Sequence, residues 1–517
     1  MKLKHLCMAA LLLMGTSSYA QNLSFDKVNK AFLRNQGTII EKNQIKGYFL
    51  FYQSDKIDRK TNEYTLQILD QNLNKVKEIQ MEDSKDIQLL EAAFNGDALS
   101  FLFNNPKTKE METRIYGLDG KLRFAYTKML DKKSEEFLKS YQTNSEDNIN
   151  EQVFSVDNKG FITILPVKDG KVTTYEVEYN SSAAKKQWVY TPETGEEKYE
   201  HATFLSSTDS VVILEVTKRQ KLTSSNATIF VVGVNFETKK KVFEIEEGRD
   251  NYTFLPEYCT KVQKTGEIML IGPYYDKTAN ITKDFSLGVG IYTLSNDGKI
   301  TSKTYNTWAK DISKYLPLND KGKIDDIGYL FFHNIIQASN GNFYVVGEGY
   351  KRVADAFGIG LNVLMAASGR VRAGGNTKIK ITDMVVLEFG PDFKINGATI
   401  KEKHHSNFHT DYADFGSQHA LAQVINAYGA FDYDFTLSDK DVNTFSICYD
   451  DYEHSDDYKG ETFNIMRYNG SKFVDDKITL SSKATKMKVF PAKPGYVMIW
   501  EYYKKEKKID LRLEKIG

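Results

Sequence analysis

Eight times along this chain a turn residue, most often glycine, is followed by a short strand of apolar or alternating side chains. The copies begin at Gly47, Gly96, Gly160, Asp209, Gly266, Gly341, Asn443 and Gly495. An apolar strand precedes most of them, as at 87–94 and 333–338. A further strand follows and often ends in Asp-Gly, at Asp119-Gly120, Asp169-Gly170 and Asp297-Gly298. That dipeptide suits the positive backbone torsions of a two-residue hairpin turn. Beyond it comes a more polar strand, such as 302–308. Each unit therefore reads as four strands: A, then B after the turn, then C and D around the Asp-Gly.

Antiparallel four-stranded units repeating at this length are the pattern of propeller blades. The expected fold is all-β, a β-propeller of eight four-stranded blades; seven blades or tandem β-sandwiches are the alternatives. Residues 484–517 hold strands A, B and C of the last unit but leave no room for D. The stretch 27–33 is expected to supply the missing strand, joining the two ends in one blade and removing a free sheet edge. The pattern resembles the β-propeller superfamily over nearly all of the chain. It lacks the Trp-Asp of WD40 blades, the Asp-box and the kelch Gly-Gly. Its nearer likeness is to uncharacterised secreted propeller-like proteins of Gram-negative bacteria, which implies no chemistry.

The first twenty residues stand apart. Lys2 and Lys4 precede a short apolar run, 6–14, and Ser18-Tyr19-Ala20 is a small-x-small cleavage site. In that order they are expected to be a secretory signal peptide, since the run is far below the ~20 residues that span a bilayer. Residues 21–517 are then expected to form one propeller domain, exported to the periplasm or cell surface and monomeric. The whole chain has 69 Lys+Arg and 69 Asp+Glu, a balance without the basic footprint of a nucleic-acid binder. Three cysteines in 517 residues exclude a disulfide-stapled scaffold. Cys259 and Cys448 fall in repeats five and seven, which are not neighbours, so both are read as free thiols. The 31 Tyr and 31 Phe point to strand-facing aromatic packing.

Function is expected in the insertions, at about 128–150, 307–326, 350–380 and 401–418, because loops on a rigid scaffold carry binding residues. In the third, Val353, Phe357, Leu361 and Leu364 share one helical face, which predicts a short helix near 352–368. That helix either caps a propeller face with its stripe buried, or docks a partner or membrane surface through those four residues. In the fourth, His404, His405 and His409, with Asp411 and the nearby Asp414 and His419, offer donors for a divalent metal such as zinc. The spacing matches no known metal signature, and a solvated polar loop or a pH-sensitive loop competes with that reading. No other cofactor is expected. The acidic seventh repeat, with Asp432, Asp434, Asp439, Asp441, Asp450, Asp451, Asp456 and Asp457, lacks the order of a calcium loop, and the run 450–457 is read as a surface hairpin tip. No catalytic residue is assigned, because neither a nucleophile elbow nor a dinucleotide-binding loop occurs. The functional expectation is a non-enzymatic binding or scaffold protein of the cell envelope with a protein or glycan partner. A funnel hydrolase or lyase acting on glycan or peptide is the alternative, and a structural subunit of an envelope complex is the third reading.

Overall fold

The computed structural model describes residues 21–516 apart from 42–43, 144–150, 194–197, 222–227, 247–250, 282–283, 320, 356–376, 411–412 and 414–417. The expected signal peptide, 1–20, lies outside the described residues. Every one of the eight repeat strands is a B strand, second in a four-stranded antiparallel unit. Blade 1 runs Lys30–Glu41, Gln44–Lys56, Thr61–Asp70 and Lys75–Ser84. Blade 6 runs Tyr329–Gln337, Phe343–Ala354, Thr377–Phe389 and Ile395–Lys401; blade 7 runs Tyr433–Ser438, Phe445–His454, Lys459–Tyr468 and Phe473–Thr479. Blades 3 and 4 are joined into one sheet by a parallel bridge between Thr173 and Tyr199. The innermost strand of each blade touches the next blade around the whole circuit, including blade 8 against blade 1. The chain is an eight-bladed β-propeller.

Closure is made by a different segment from the one expected. Asn22–Phe25, not 27–33, completes blade 8, pairing antiparallel with Lys508–Lys515 from Asn22 opposite Arg512 to Phe25 opposite Ile509. Lys27 turns the chain at a positive φ of 60°, and Lys30–Glu41 becomes the innermost strand of blade 1. Phe25 and Val28 are buried with Trp500 and Leu511, so the four-residue strand is held by packing as well as by its ladder. A second difference concerns the turns. Asp169-Gly170 joins strands B and C of blade 3, whereas Asp119-Gly120 and Asp297-Gly298 join C to D as expected.

The aromatic residues meet across the blade seams. Phe51 of blade 1 lies 4.9 Å from Phe101 of blade 2, Phe154 stacks on Phe204 at 4.4 Å, and Tyr344 meets Phe445 at 5.0 Å. Such pairs contribute about 0.5–1.5 kcal/mol each beyond their buried area. Both cysteines are free and buried.

Strands that run alternately up and down send the A–B and C–D turns to one face, and the B–C and D–A connections to the other. The A–B turns are short, the widest lying between Lys261 and Ile268 and between Ser438 and Phe445. The long connections all leave the second face: 129–153, 276–288, 307–329, 354–377 and 401–433. Among the described residues two α-helices stand there, α1 (Lys132–Thr143) and α2 (Gln418–Ala427). Neither was expected from the sequence, which placed its helix at 352–368; of that stretch, 356–368 lie outside the described residues. Arg352, Val353 and Ala354 instead prolong strand B of blade 6, paired with Thr377, Lys378 and Ile379. No helix among the described residues is long and apolar enough to cross a membrane.

Candidate functional site at the mouth over blades 5 to 8

Inner strands ring the axis of a propeller, and here several are broken where they reach the second face. In blade 6 the register slips between Phe332 and Asn334, leaving His333 as the unpaired residue; in blade 7 it slips between Tyr433 and Phe435, leaving Asp434. The inner strand of blade 5 is interrupted between Phe254 and Tyr258. The carbonyl of Leu255 sits where a side chain on Gly272 would stand, 1.8 Å from the ideal Cβ position. Glu257 occupies that break. Bulges re-aim side chains that a regular strand would point elsewhere, and here they deliver His333, Asp434 and Glu257 to one quarter of the ring.

Glu348 is the centre of the first group. It is completely buried on strand B of blade 6 and accepts the backbone N–H of Asp432 at 3.1 Å and of Tyr433 at 3.2 Å. The Lys403 ammonium lies 3.1 Å from it and also binds Asp432. His333 approaches Glu348 at 3.3 Å and stacks on Tyr433, ring centres 4.7 Å apart. Burial pushes the Glu348 carboxyl up, but His333, Lys403 and the backbone donors more than offset it, and the carboxyl lies below its ordinary value. For Asp432 burial wins, and its carboxyl is pushed up to about 6.

Next to it stands a second set of charges. Lys488, on the inner strand Lys486–Pro491 of blade 8, pairs with Asp434, whose side chain is only 6% exposed. Asp450, on strand B of blade 7, faces Asp434 and is open to water on one side. Burial raises both carboxyls: Asp450 is pushed well above the ordinary aspartate value with the Asp434 charge adding to the rise, and Asp434 stays raised against the pull of Lys488 and of the Asp450 hydrogen bond.

A third group ties α2 to the ring. Leu421, Ala422 and Ile425 pack against Ile379, Ile381 and Tyr350 of blade 6, and the Tyr350 hydroxyl donates to the Gln418 carbonyl at 2.8 Å. His419 Nδ1 lies 3.3 Å from Glu257. Burial pulls the imidazole down, but Glu257 and Glu215 raise it above its ordinary value. Burial in turn pushes Glu215 up to about 7.

The histidines expected to hold a metal go to separate partners. The His404 N–H donates to Asp451 at 2.9 Å and its ring leans on Tyr452; His405 Nε2 lies 3.0 Å from Asp383; His409 lies 3.9 Å from Asp355. Asp411 and Asp414 lie outside the described residues, as do Phe357, Leu361 and Leu364 of the expected docking helix. Among the described residues no group of three His, Cys, Asp or Glu side chains converges. The acidic run of repeat seven divides. Asp456 and Asp457 sit at the expected hairpin tip, whereas Asp450 and Asp451 belong to strand B. On the opposite face, a cleft of about 620 Å³ opens between blades 7, 8 and 1, with Leu437, Ile45 and Pro491 in its wall and Arg467 among its polar groups.

A family model matches residues 1–517 in full. The chain belongs to DUF6770, a family of unknown function. No curated protein matches it in sequence. Among solved structures it is similar to prolyl oligopeptidase B from Galerina marginata, with 8% identity and a TM-score of 0.39, covering 95% of this chain and 56% of that one. It is also similar to the WD40 domain of SCAP from fission yeast, with 10% identity and a TM-score of 0.36, covering 95% and 94%. A protein of unknown function from Bacteroides caccae follows, with 8% identity and a TM-score of 0.25, covering 65% and 90%. The DUF6770 chain thus spans just over half the length of the oligopeptidase. Its fold rests on the strand pairing above, not on these likenesses.

Proposed function

We propose that this DUF6770 protein is an exported binding or scaffold protein of the cell envelope, holding a protein or glycan partner on its second face. On this reading residues 1–20 are its signal peptide, and its kin are secreted propeller-like proteins of Gram-negative bacteria. One observation carries the choice of face. The large aromatic side chains left exposed among the described residues are Phe285, Tyr315, Tyr428 and Tyr452. Phe285, Tyr315 and Tyr428 stand on B–C or D–A connections, and Tyr452 lies near the second-face end of its strand. Two are braced from the side: Phe285 stacks on Tyr329 at 5.6 Å and Tyr428 leans on Phe408 at 5.6 Å. Exposed rings held in place present large area at little entropic cost and are enriched among the residues that dominate binding energy.

The test is an array of envelope glycans and peptides probed with the chain from residue 21, followed by titration of the best ligand. Tyr428→Ala and Tyr452→Ala are expected to weaken binding tenfold or more, and Arg467→Ala on the opposite face to leave it unchanged. The reverse pattern would move the site to the cleft between blades 7, 8 and 1.

A further inference from the structure

Charge is spread unevenly over the second face. The whole chain balances 69 Lys+Arg against 69 Asp+Glu, yet the second-face segments 483–486, 503–508, 26–30, 56–60 and 85–86 hold twelve Lys and Arg against four Asp and Glu. They belong to blades 8 and 1 and to the connection that leads on to blade 2. Contacts join them into one arc. The Lys504 N–H donates to the Thr485 hydroxyl at 3.1 Å, the Val28 N–H to the Lys507 carbonyl at 2.8 Å, and the Lys85 N–H to the Lys60 carbonyl at 2.8 Å. Lys56, Arg59, Lys60, Lys504, Lys505 and Lys507 are all exposed. Two of the four acids are engaged elsewhere. Asp58 accepts the N–H groups of Lys60 and Thr61 within its own turn, and Asp86 pairs with Lys107 of blade 2 at 2.6 Å. The arc therefore keeps a strong positive charge on a chain that is neutral as a whole.

A second observation shows what such an arc can meet. Ile57, 49% exposed, stands among Lys56, Arg59 and Lys60 on the B–C turn of blade 1, and Met129, 63% exposed, ends strand D of blade 2 beside it. Aliphatic side chains on projecting tips give a sugar ring no flat face to stack on. Basic residues around apolar tips suit a lipid surface instead: the cations meet headgroup phosphates while the tips enter the acyl boundary.

We propose that the arc over blades 8 and 1 docks the protein on an anionic phospholipid membrane. The docking surface goes beyond the partner-binding reading. It uses none of Phe285, Tyr315, Tyr428 and Tyr452, which stand over blades 5 to 7.

The test mixes the chain from residue 21 with phosphatidylcholine vesicles, either pure or containing about a third of phosphatidylglycerol, and reads the bound fraction by sedimentation. Binding is expected to the anionic vesicles and not to the neutral ones. It should fall about tenfold or more in the double variant Lys504→Gln, Lys505→Gln, and about fivefold in Ile57→Ser. The double variant Lys121→Gln, Lys299→Gln removes the same charge from C–D turns of the first face and should bind like the parent. These side chains are exposed, so the unfolding midpoints should match; if the first double variant shifts its midpoint, adding about 0.5 M salt to the parent protein tests the same charges by screening. Equal binding to both vesicles, binding to neither, equal loss in the first-face variant, or an Ile57→Ser variant that binds like the parent each overturns the membrane surface. Affinity for the array ligand, expected to be unchanged in Lys504→Gln, Lys505→Gln, decides the partner-binding reading separately.

Discussion

Two seams of the ring use the same device to different extents. Between blades 2 and 3, Glu91 lies just after a bulge of the inner strand and accepts the N–H of Gln152 at 2.9 Å and of Val153 at 3.2 Å. Between blades 6 and 7, Glu348 accepts the N–H of Asp432 and of Tyr433. In each case a buried carboxylate satisfies the first backbone donors of the next blade's inner strand, groups that cannot be left unpaired without cost. At the second seam, the carboxylate is also met by Lys403 and His333, with Asp432, Asp434 and Asp450 alongside. Pairing the first backbone donors of the next blade takes one acid at each seam. The surplus over blades 6 to 8 is more than the seam requires, and it coincides with the face of long connections and exposed rings.

The comparison breaks first at Glu348. Glu348→Ala strands a buried lysine and a buried histidine as well as two N–H groups, and should cost about 3–5 kcal/mol in chemical denaturation. Glu91→Ala strands the backbone donors of Gln152 and Val153 and should cost about 1–3 kcal/mol. Equal losses would remove the distinction between the seams.

The carboxyls at the second seam also give it a pH dependence. Asp432, at about 6, and Asp434 and Asp450, both raised, bind protons more tightly folded than unfolded. Their contribution is complete below the ordinary value of 3.8 and is lost as pH rises through the folded-state values. For Asp432 that window is about pH 4 to 6. Asp450→Asn keeps a donor on Asp434 at every pH. It should be more stable than the parent by about 1 kcal/mol at pH 8 and no more stable at pH 4, read from paired unfolding curves.

The smallest effect is expected at α2. The His419 imidazole is raised above its ordinary 6.5, so its stabilisation is complete below that value and is lost as pH rises through the folded-state one. His419→Gln should lower amide protection of residues 418–427 by about 0.5 kcal/mol at pH 6 and by nothing at pH 9. An equal loss at both pH values would make the His419–Glu257 contact irrelevant.

The ring was legible in the sequence because each B strand is an apolar run behind a turn residue, and that local pattern survived in all eight blades. Closure was misplaced because Asn22–Phe25 is four residues long, too short to show periodicity, and is chosen by its fit to Lys508–Lys515. Helix α2 carried a readable stripe in Leu421, Ala422 and Ile425, but the histidines beside it drew the reading toward a metal. Helix α1 is mostly polar, and it is fixed by contacts from elsewhere: Asp131 accepts the Ser134 N–H, the Ser134 hydroxyl donates to the Pro166 carbonyl, and Leu138 is buried. The charged site was invisible because register slips at His333 and Asp434 create it, and a bulge has no local sequence mark. One signal was there to be used. Glu348 interrupts the wholly buried, otherwise uncharged stretch 343–350 of its B strand, as Glu91 interrupts its A strand, and an acid in such a place must have partners.

The pairing of Asp434 with Asp450 couples the carboxyls of the crowded seam, and carbon-13 titration of the aspartate carboxyls reads it directly. The Asp450 carboxyl is expected to titrate well above 3.8, with Asp434 perturbed over the same pH range, and to fall toward the ordinary value in Asp434→Asn. An Asp450 midpoint at 3.8 in the parent protein would contradict the shared proton and the crowding of carboxyls at this seam.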